Sequence, residues 1–208
     1  MALVPGDLKA IKALGAEVVI ETGAGTASAY PDAAYEAAGA TIAKSRADLL
    51  AASRIVLFVA PATGLAGPAK ADQLFIGMGE ALAKPGPHQA MAKSGAQTMA
   101  LELVPRITRA QSMDVLSSMA TLLGYRGVLL GADALPRVFP LMMTAAGTLQ
   151  PAKVLVMGAG VAGLSAIATA RRLGANVTAY DVRAAAKEQV ASLGAKFLEI
   201  EVDSKEAE

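Results

Sequence analysis

Short apolar runs in this chain follow a repeated pattern, in which a helix-like stretch ends at a glycine–alanine pair and a β-type run comes next. The pattern occurs at five places, which are Gly15-Ala16, Gly39-Ala40, Gly95-Ala96, Gly174-Ala175 and Gly194-Ala195. Glycine just after the last helical turn tolerates the left-handed backbone that ends a helix. Chance pairing in a chain with 20 glycines is the alternative, but the same continuation at every pair argues against it. The pattern therefore predicts an α/β fold with a largely parallel sheet.

The individual elements follow from the same patterns. Helices are predicted at residues 7–14, 31–38, 46–52, 88–93, about 110–123, 124–135, 138–146 and 164–173. Strands are predicted at residues 17–21, 41–42, 55–60, 73–76, 98–101, 154–157, 177–180 and 197–200. Pro136 interrupts the helical stretch that begins at residue 124, and residues 147–151 are typical of a linker.

Composition narrows the possible classes of function. The chain is 54% hydrophobic and carries 19 basic against 18 acidic residues, so its formal net charge is +1. No surface for nucleic acid is therefore expected. The lack of cysteine excludes disulfides and thiolate sites, and the single histidine, His88, excludes a site built from several imidazoles. We expect no metal site.

Neither a membrane span nor a secretory signal is expected. The longest uncharged run, residues 154–170, has 17 residues and is interrupted by three glycines, whereas a span needs about 20 apolar residues. The N-terminus lacks a basic region followed by an apolar one. These features predict a soluble protein of a reducing compartment.

A glycine-rich turn is the clearest functional motif. Gly158, Gly160 and Gly163 form the pattern G-x-G-x-x-G between an apolar strand and a helix. The next strand leads to Asp181, which is 18 residues after Gly163 and close to the spacing of about 20 typical of dinucleotide-binding folds. The motif alone is a weak signal, but this context of strand, turn, helix, strand and acid is the one that a dinucleotide requires.

Each part of the motif has a physical role. The first glycine permits the tight turn, the second lets the backbone approach a pyrophosphate, and the third allows close packing of helix on strand. The start of the helix attracts the phosphates. Asp181 would accept hydrogen bonds from the ribose hydroxyls and repel a 2′-phosphate, which favours NAD over NADP, and Arg183 nearby leaves NADP as the alternative. A nucleotide half-domain that binds another nucleotide, or none, is the alternative.

These observations predict two Rossmann-like units with largely parallel sheets, of which the second is incomplete. The first is an N-terminal α/β domain at residues 1–123. Residues 124–150 are predicted to form a connecting helical segment, and residues 151–208 the first half of a Rossmann NAD-binding domain.

A second polar cluster precedes the glycine turn. Gln111, Asp114 and Ser118 recur at i, i+3 and i+7, which places them on one stripe of a predicted helix. Ser117 lies beside them, and Arg106 enters from the preceding loop. By pattern alone this is an ordinary amphipathic helix with its polar stripe in water, or a binding site.

A resemblance to a known family indicates a binding role for this polar cluster. The run Pro105–Asp114, the stretch Leu123–Arg126, the stretch Thr144–Thr148 and the turn at Gly158 closely resemble the NAD(H)-binding component of the proton-translocating NAD(P) transhydrogenase α subunit. That family shares a fold with alanine dehydrogenase. The resemblance covers most of the chain and is strongest from about residue 99 to residue 202.

The resemblance implies a complete set of cofactor contacts. At the nicotinamide end of NAD(H) these are Arg106, Ile107, Thr108, Gln111, Asp114 and Ser117, and at the adenosine end Gly158, Gly160, Val161, Gly163, Asp181, Val182 and Arg183. Among them, Arg106, Gln111 and Asp114 are the residues expected to serve catalysis.

The resemblance also implies an activity and partners. The expected reaction passes hydride between NADH and NADP⁺, with NADP(H) on a separate component and proton translocation through a membrane-embedded proton-channel component. A homodimer, peripheral at the cytoplasmic face of the inner membrane when assembled, is expected. The composition suits this chemistry, because hydride transfer between two nicotinamides needs positioned rings and no general base.

Compared with that family, the chain is expected to be truncated at both ends. The resemblance implies a further strand before residue 2 and the rest of the nucleotide sheet after residue 208. Two alternatives stay open at this point. One is an alanine dehydrogenase-like enzyme, which would need an acid–base group, although His88 is expected to be a surface loop residue. The other is a truncated, non-catalytic NAD-binding remnant.

Overall fold

A computed structural model describes residues 2–59, 64–65 and 69–200 of the chain. The chain divides into two compact units, Met1–Asp114 and Val115–Glu208. The domain limits at residues 123 and 150 stay predictions. The last eight residues of the acidic stretch that ends the sequence lie outside the described residues.

The elements alternate as the glycine–alanine pattern predicts. The helices are α1 (Leu8–Ala13), α2 (Asp32–Ala37), α3 (Arg46–Ala52), α4 (Pro85–Lys93), α5 (Val115–Ala134), α6 (Val161–Arg172) and α7 (Ala186–Ser192). The strands are β1 (Val19–Glu21), β2 (Thr41–Ala43), β3 (Ile55–Val59), β4 (Leu74–Met78), β5 (Gln97–Ala100), β6 (Met142–Thr144), β7 (Gly147–Leu149), β8 (Lys153–Met157), β9 (Asn176–Tyr180) and β10 (Lys196–Phe197). Short 3-10 helices lie at Pro5–Asp7, Thr26–Ser28, Leu101–Leu103 and Thr108–Met113.

The prediction for the glycine–alanine pairs is confirmed at all five positions. The glycines of these pairs have φ between +74° and +89°, which is the left-handed region that favours glycine. A strand begins within four residues of each of them, as β1, β2, β5, β9 or β10.

Among the described residues of the first unit, the strands form two parallel sheets. One pairs β1 with β2, and the other has the order β3-β4-β5. Around the first sheet, Leu8, Ile20 and Tyr35 form one hydrophobic core. Around the second, Leu50 and Phe75 belong to another core. The most apolar strands of this unit are β3 and β4, and β3 is buried or half-buried on one face and exposed on the other.

The second unit contains one parallel sheet in the order β10-β9-β8. Its core includes Ile167 of α6 and Val177 of β9. Helix α6 packs along α5, where Gly124 lies so close to α6 that an added Cβ would be 2.1 Å from the carbonyl oxygen of Ala162. The α/β fold class with parallel, Rossmann-like sheets is therefore confirmed.

Two predictions for residues 110–151 are wrong. One unbroken helix, α5, replaces the predicted break at residue 123, because Gly124 is needed for close packing and does not end the helix. Residues 138–146 are not helical, and part of the predicted linker is a strand, since β6 and β7 form an antiparallel hairpin. The Thr144 hydroxyl donates to the Gly147 carbonyl oxygen at 2.9 Å and accepts from the Ala146 N–H at 3.2 Å, which stabilises the turn.

Within the part of the chain that the structure describes, one helix is long and apolar enough to cross a membrane. It is α5, with a mean hydropathy of 1.3, and it lies outside the uncharged run at residues 154–170. In this structure α5 packs on α6, and the Ser165 hydroxyl donates to the Thr121 carbonyl oxygen at 2.7 Å. The contact with α6 covers one side of α5, and 11% of its apolar 18-residue window is buried.

Candidate functional site

The glycine turn connects β8 to α6 in the second unit. Gly158 has φ +91°, and its N–H donates to the Tyr180 carbonyl oxygen on β9 at 2.7 Å. An added Cβ on Gly163 would lie 1.8 Å from the Gly158 carbonyl oxygen. Gly158 therefore makes the turn and Gly163 permits the helix to approach it, as the motif predicts.

The start of α6 has the properties of a phosphate site. Gly160 precedes the helix, no side chain caps it, and the first turn contains no acidic residue. An added Cβ on Gly160 would meet nothing within 4 Å, so the space in front of the helix is open. The N–H groups and the positive end of the helix dipole at this 12-residue helix favour an anion.

Asp181 joins the end of β9 to the glycine turn. One carboxylate oxygen, Oδ2, accepts from the Ala159 N–H at 2.7 Å, and the other, Oδ1, accepts from the Arg183 N–H at 2.8 Å. The Asp181 side chain is 7% exposed. The Asp181 carboxylate therefore links the end of β9 to the glycine turn that follows β8. A bound dinucleotide would lie across the ends of these two strands.

Arg183 folds back onto the same carboxylate. Its Nε donates to Asp181 Oδ1 at 2.9 Å and its Nη2 donates to Oδ2 at 3.1 Å. These bonds, with the backbone bonds from Arg183 and Ala159, hold the pKa of Asp181 well below its ordinary value, and Asp181 in turn raises the pKa of Arg183. A ribose hydroxyl that bonds to Asp181 would share the carboxylate with Arg183. The sequence placed the two residues near each other but did not indicate this pairing.

Two apolar residues of the predicted set lie beside these groups. Val161 is the first residue of α6 and is 44% exposed, and Val182 is 83% exposed next to Asp181. Exposed apolar side chains at a strand end and a helix start are suited to contact a flat ring.

The Arg106 segment differs from its prediction. Residues Thr108–Met113 form a 3-10 helix, Asp114 breaks the helical path with ψ +81°, and α5 begins only at Val115. Gln111, Asp114 and Ser118 therefore do not lie on one stripe of one α-helix. The reason is the preference of aspartate for the position just before a helix, where its side chain can accept from backbone N–H groups.

The exposure of this segment suits a binding surface. Arg106, Ile107, Thr108 and Gln111 are exposed, whereas Asp114 and Ser117 are half-buried. Ile107 is 54% exposed despite its apolar side chain.

A polar cluster at the ends of β4 and β5 was not indicated by the sequence. Glu102 Oε1 accepts from the Ala81 N–H at 2.8 Å and the Gly79 N–H at 3.3 Å. His88 Nε2 lies 3.2 Å from the Gly79 carbonyl oxygen, so the prediction of a surface loop residue is wrong, because His88 is a half-buried residue of α4. Glu80 between these groups has φ +56°.

The charge of Glu102 is maintained by its partners. Burial alone raises the pKa of this carboxyl, but the N–H groups of Ala81 and Gly79 and the nearby His88 outweigh burial, so the pKa lies below its ordinary value. The feature that sets the Glu102 cluster apart is the positive φ of Glu80, a non-glycine residue. A backbone angle of this kind cannot be read from the sequence, so no signal in the sequence indicated the cluster.

Comparison with protein families identifies the chain. Residues 1–123 match the model for the alanine dehydrogenase/PNT N-terminal domain, and residues 127–208 match the model for the alanine dehydrogenase/PNT C-terminal domain. The chain belongs to the alanine dehydrogenase/PNT family. The resemblance predicted from the sequence is thereby confirmed.

Individual relatives agree with this assignment. The chain is 48% identical to the first part of the NAD(P) transhydrogenase subunit alpha of Rhodospirillum rubrum over 97% of this chain and 54% of that protein. It is 30% identical to alanine dehydrogenase of Mycolicibacterium smegmatis over 88% of this chain and 50% of that protein. The chain thus spans about half the length of the relatives it matches.

Solved structures show the same fold. Transhydrogenase from Sinorhizobium meliloti matches with a TM-score of 0.89 and 50% identity, covering 95% of this chain and 59% of that chain. An L-alanine dehydrogenase matches with a TM-score of 0.79 at 24% identity, covering 95% of this chain and 56% of that chain, which shows the fold alone. The chain is a member of a family of NAD-binding, Rossmann-like oxidoreductases that includes transhydrogenases.

Proposed function

We propose that this chain is the NAD(H)-binding part of a transhydrogenase, in which hydride passes between NADH and NADP⁺. The observation that carries the proposal is the link between the glycine turn and Asp181, made by the bond from the Ala159 N–H, in a chain 48% identical to a section of a transhydrogenase α subunit. NAD(H), when bound, would supply the hydride at its nicotinamide ring. The residues of this chain would bind and orient the cofactor.

The residues of the second unit fit the adenosine end of NAD(H). Gly160 leaves the start of α6 open to the pyrophosphate. Asp181 would accept from the ribose hydroxyls, and Arg183 would keep the carboxylate ionised. Gly158, Val161, Gly163, Val182 and the residues just named complete this part of the proposed site.

The residues of the Arg106 segment suit the nicotinamide end by their chemistry. The Gln111 amide can both donate to and accept from a carboxamide. Arg106 and Asp114 offer opposite charges that would fix the orientation of the ring, and Ile107, Thr108 and Ser117 complete the set. We propose Arg106, Gln111 and Asp114 as the residues that serve hydride transfer, by orientation and without a general base.

The proposed reaction needs partners. We propose that NADP(H) is held by a separate component and that a membrane-embedded proton-channel component couples hydride transfer to proton translocation, with this chain peripheral at the cytoplasmic face of the inner membrane. The name of the Rhodospirillum rubrum relative, which is the first part of a subunit alpha, supports a protein of several components. A homodimer is also proposed, and the hairpin of β6 and β7 supports it, since Met143 is 82% exposed.

An alanine dehydrogenase-like activity is the second candidate, favoured by the 30% identity to the Mycolicibacterium smegmatis enzyme. A chain that only holds NAD(H), with no turnover, is the third. The three are separated by assaying the same preparation in two ways. One assay follows oxidation of L-alanine by NAD⁺, and the other follows hydride exchange with the NADP(H)-binding component of the Rhodospirillum rubrum enzyme and an NAD analogue.

Transhydrogenation without alanine oxidation is the expected result. Alanine oxidation alone would replace the proposal with the second candidate. Binding of NADH by calorimetry with neither activity would leave the third candidate, and failure to bind NADH would contradict all three.

A further inference from the structure

Two neighbouring strands of the first unit, β4 and β5, lead into segments that one side chain joins. The strands are parallel, so their carboxyl ends lie at the same edge of the sheet. Strand β4 continues into residues 79–81, and β5 continues into the 3-10 helix Leu101–Leu103, which contains Glu102. Ligands of open α/β sheets bind outside the carboxyl ends of the strands, so this junction lies at the edge where a site is expected.

The Glu102 carboxylate holds the turn after β4 on both sides of one residue. Its Oε1 accepts from the Gly79 N–H at 3.3 Å and from the Ala81 N–H at 2.8 Å. Glu80, between these two donors, has φ +56°, which is a left-handed backbone that costs free energy at a non-glycine residue. The two hydrogen bonds from Glu102 therefore maintain a strained turn.

Two other polar atoms add to the cost of this arrangement. Glu102 Oε2 and His88 Nδ1 are buried and have no hydrogen-bond partner among the described residues. A buried polar atom without a hydrogen bond destabilises the fold, and apolar side chains of similar size would pack here without that cost. A strained residue beside two such atoms is typical of a place that serves function more than stability.

Glu102 also stands at the start of the path to Arg106. Three residues separate the two, and the last of them is Pro105, whose ring fixes its φ. The Ile107 N–H donates to the Pro105 carbonyl oxygen at 2.9 Å. Because this connection is short, partly rigid and hydrogen-bonded, a displacement of Glu102 would also displace Arg106.

We propose that Glu102 is a positioning residue that ties residues 106–114 to the end of β4, an inference that rests on the function proposed above for those residues. Its reach matters more than its charge, since one oxygen must accept from two N–H groups on either side of Glu80. Glu102 acts on Arg106 and Gln111 through the backbone. Hydride transfer depends steeply on orientation, and a displacement of about 1 Å can cost ~100-fold in rate.

Three substitutions of Glu102 in the full chain separate reach from charge. Glu102→Met removes the acceptor and keeps most of the side-chain volume. Glu102→Gln keeps the length and one oxygen that can accept from both N–H groups, but removes the charge. Glu102→Asp keeps the charge and shortens the side chain by one methylene group, so the carboxylate can meet both donors only if the backbone moves.

The matched control is Gln73→Met, at the opposite end of β4. Gln73 precedes this strand and also bonds to backbone groups only. Its Nε2 donates to the Leu50 and Ser53 carbonyl oxygens at 2.7 Å each, and its Oε1 accepts from the Lys70 N–H at 2.9 Å. Loss of these bonds should lower the thermal midpoint without moving residues 106–114.

NMR of the backbone amides reports position without any activity. Glu102→Met and Glu102→Asp should shift the amide signals of Arg106 and Gln111 and speed hydrogen exchange at Ala81 by at least ~10-fold. Glu102→Gln and Gln73→Met should leave the Arg106 and Gln111 signals in place. Unchanged signals of Arg106 and Gln111 in Glu102→Met would overturn the proposal, and if that variant does not fold, the same result in Glu102→Asp would overturn it.

Hydride exchange with the NADP(H)-binding component and an NAD analogue gives the second readout. Glu102→Met and Glu102→Asp should slow transfer at least ~10-fold and change the Kd for NADH only a few-fold, whereas Glu102→Gln and Gln73→Met should keep most of the rate. An equal loss of rate in Gln73→Met would show a merely structural role and overturn the proposal. No transfer by the unsubstituted chain would contradict the proposed function instead, and the amide signals would still decide whether Glu102 positions residues 106–114.

Discussion

At the scale of single residues, Asp181 is the group on which cofactor choice depends. Its carboxylate lies at the end of β9 against the glycine turn. Asp181→Ala should weaken NADH binding by about 1–3 kcal/mol, because the ribose hydroxyls lose a charged acceptor, and should reduce the preference for NADH over NADPH. Isothermal calorimetry with both cofactors measures the two effects.

The control for this substitution is Asp133→Ala, which removes an exposed carboxylate from α5. It should leave both affinities unchanged. An unsubstituted chain that binds NADPH as tightly as NADH would show that Asp181 does not select the cofactor.

Arg183 contributes to stability through the pKa of Asp181, which it lowers in the folded state. Because the folded pKa of Asp181 lies below its unfolded value near ~3.9, the pair stabilises the fold above pH ~4, and the stabilisation is lost as the pH falls toward the folded pKa. Arg183→Ala should raise the pKa of Asp181 toward the ordinary value. Titration of the Asp181 carboxyl carbon by NMR tests this, and the same midpoint in both proteins would mean that the backbone bonds alone lower the pKa.

Gln111 is expected to affect rate more than affinity. Most binding contacts are proposed for the glycine turn and Asp181, whereas the Gln111 amide would orient the nicotinamide, and a displacement of about 1 Å can cost ~100-fold in rate. In a chain complemented to full activity, Gln111→Ala should slow transhydrogenation at least ~10-fold and change the Kd for NADH only a few-fold. A normal rate would leave this segment as an ordinary exposed helix.

At the scale of elements, two glycines of the glycine turn are expected to have different roles, Gly163 in packing and Gly160 in cofactor binding. Gly163→Ala should destabilise the second unit by about 1–3 kcal/mol, because the new Cβ would be 1.8 Å from the Gly158 carbonyl oxygen. Gly160→Ala adds a methyl group to open space, so it should leave the thermal midpoint nearly unchanged and weaken NADH binding. Thermal melts and calorimetry on both variants check the pair, and the reverse pattern would contradict the assignment of roles.

The elements also show which sequence signals are reliable. The helix endings at the five glycine–alanine pairs were predicted correctly, since a left-handed glycine ends a helix by local sterics. Strand β6 was predicted as helix and β7 as part of a linker, because strands of three residues carry too short a pattern to show a period of two. Gly124 was read as a helix end, although its role is contact with α6.

At the scale of the whole molecule, unpaired edges govern behaviour in solution. In the second unit, β8 pairs only with β9 among the described strands, and Leu155 and Met157 on it are 59% and 78% exposed. The chain should therefore self-associate, and it should melt at a lower temperature than the longer Rhodospirillum rubrum relative. Sedimentation velocity across a concentration series measures this, and Leu155→Lys should reduce the association. A strictly monomeric chain with one sharp melt would contradict it.

The sequence by itself determined the local features of this protein. The helix ends, the glycine turn, the position of Asp181 and the membership of the alanine dehydrogenase/PNT family all depend on neighbouring residues or on short spacings. Tertiary structure alone decided the features made by distant segments. These are the approach of Gly163 to Gly158, the bonds from Arg183 to Asp181 and the bonds that Glu102 accepts from Ala81 and Gly79. The physical reason is that backbone preferences act over a few residues, whereas the partner of a side chain or a sheet edge depends on which elements meet in the folded chain.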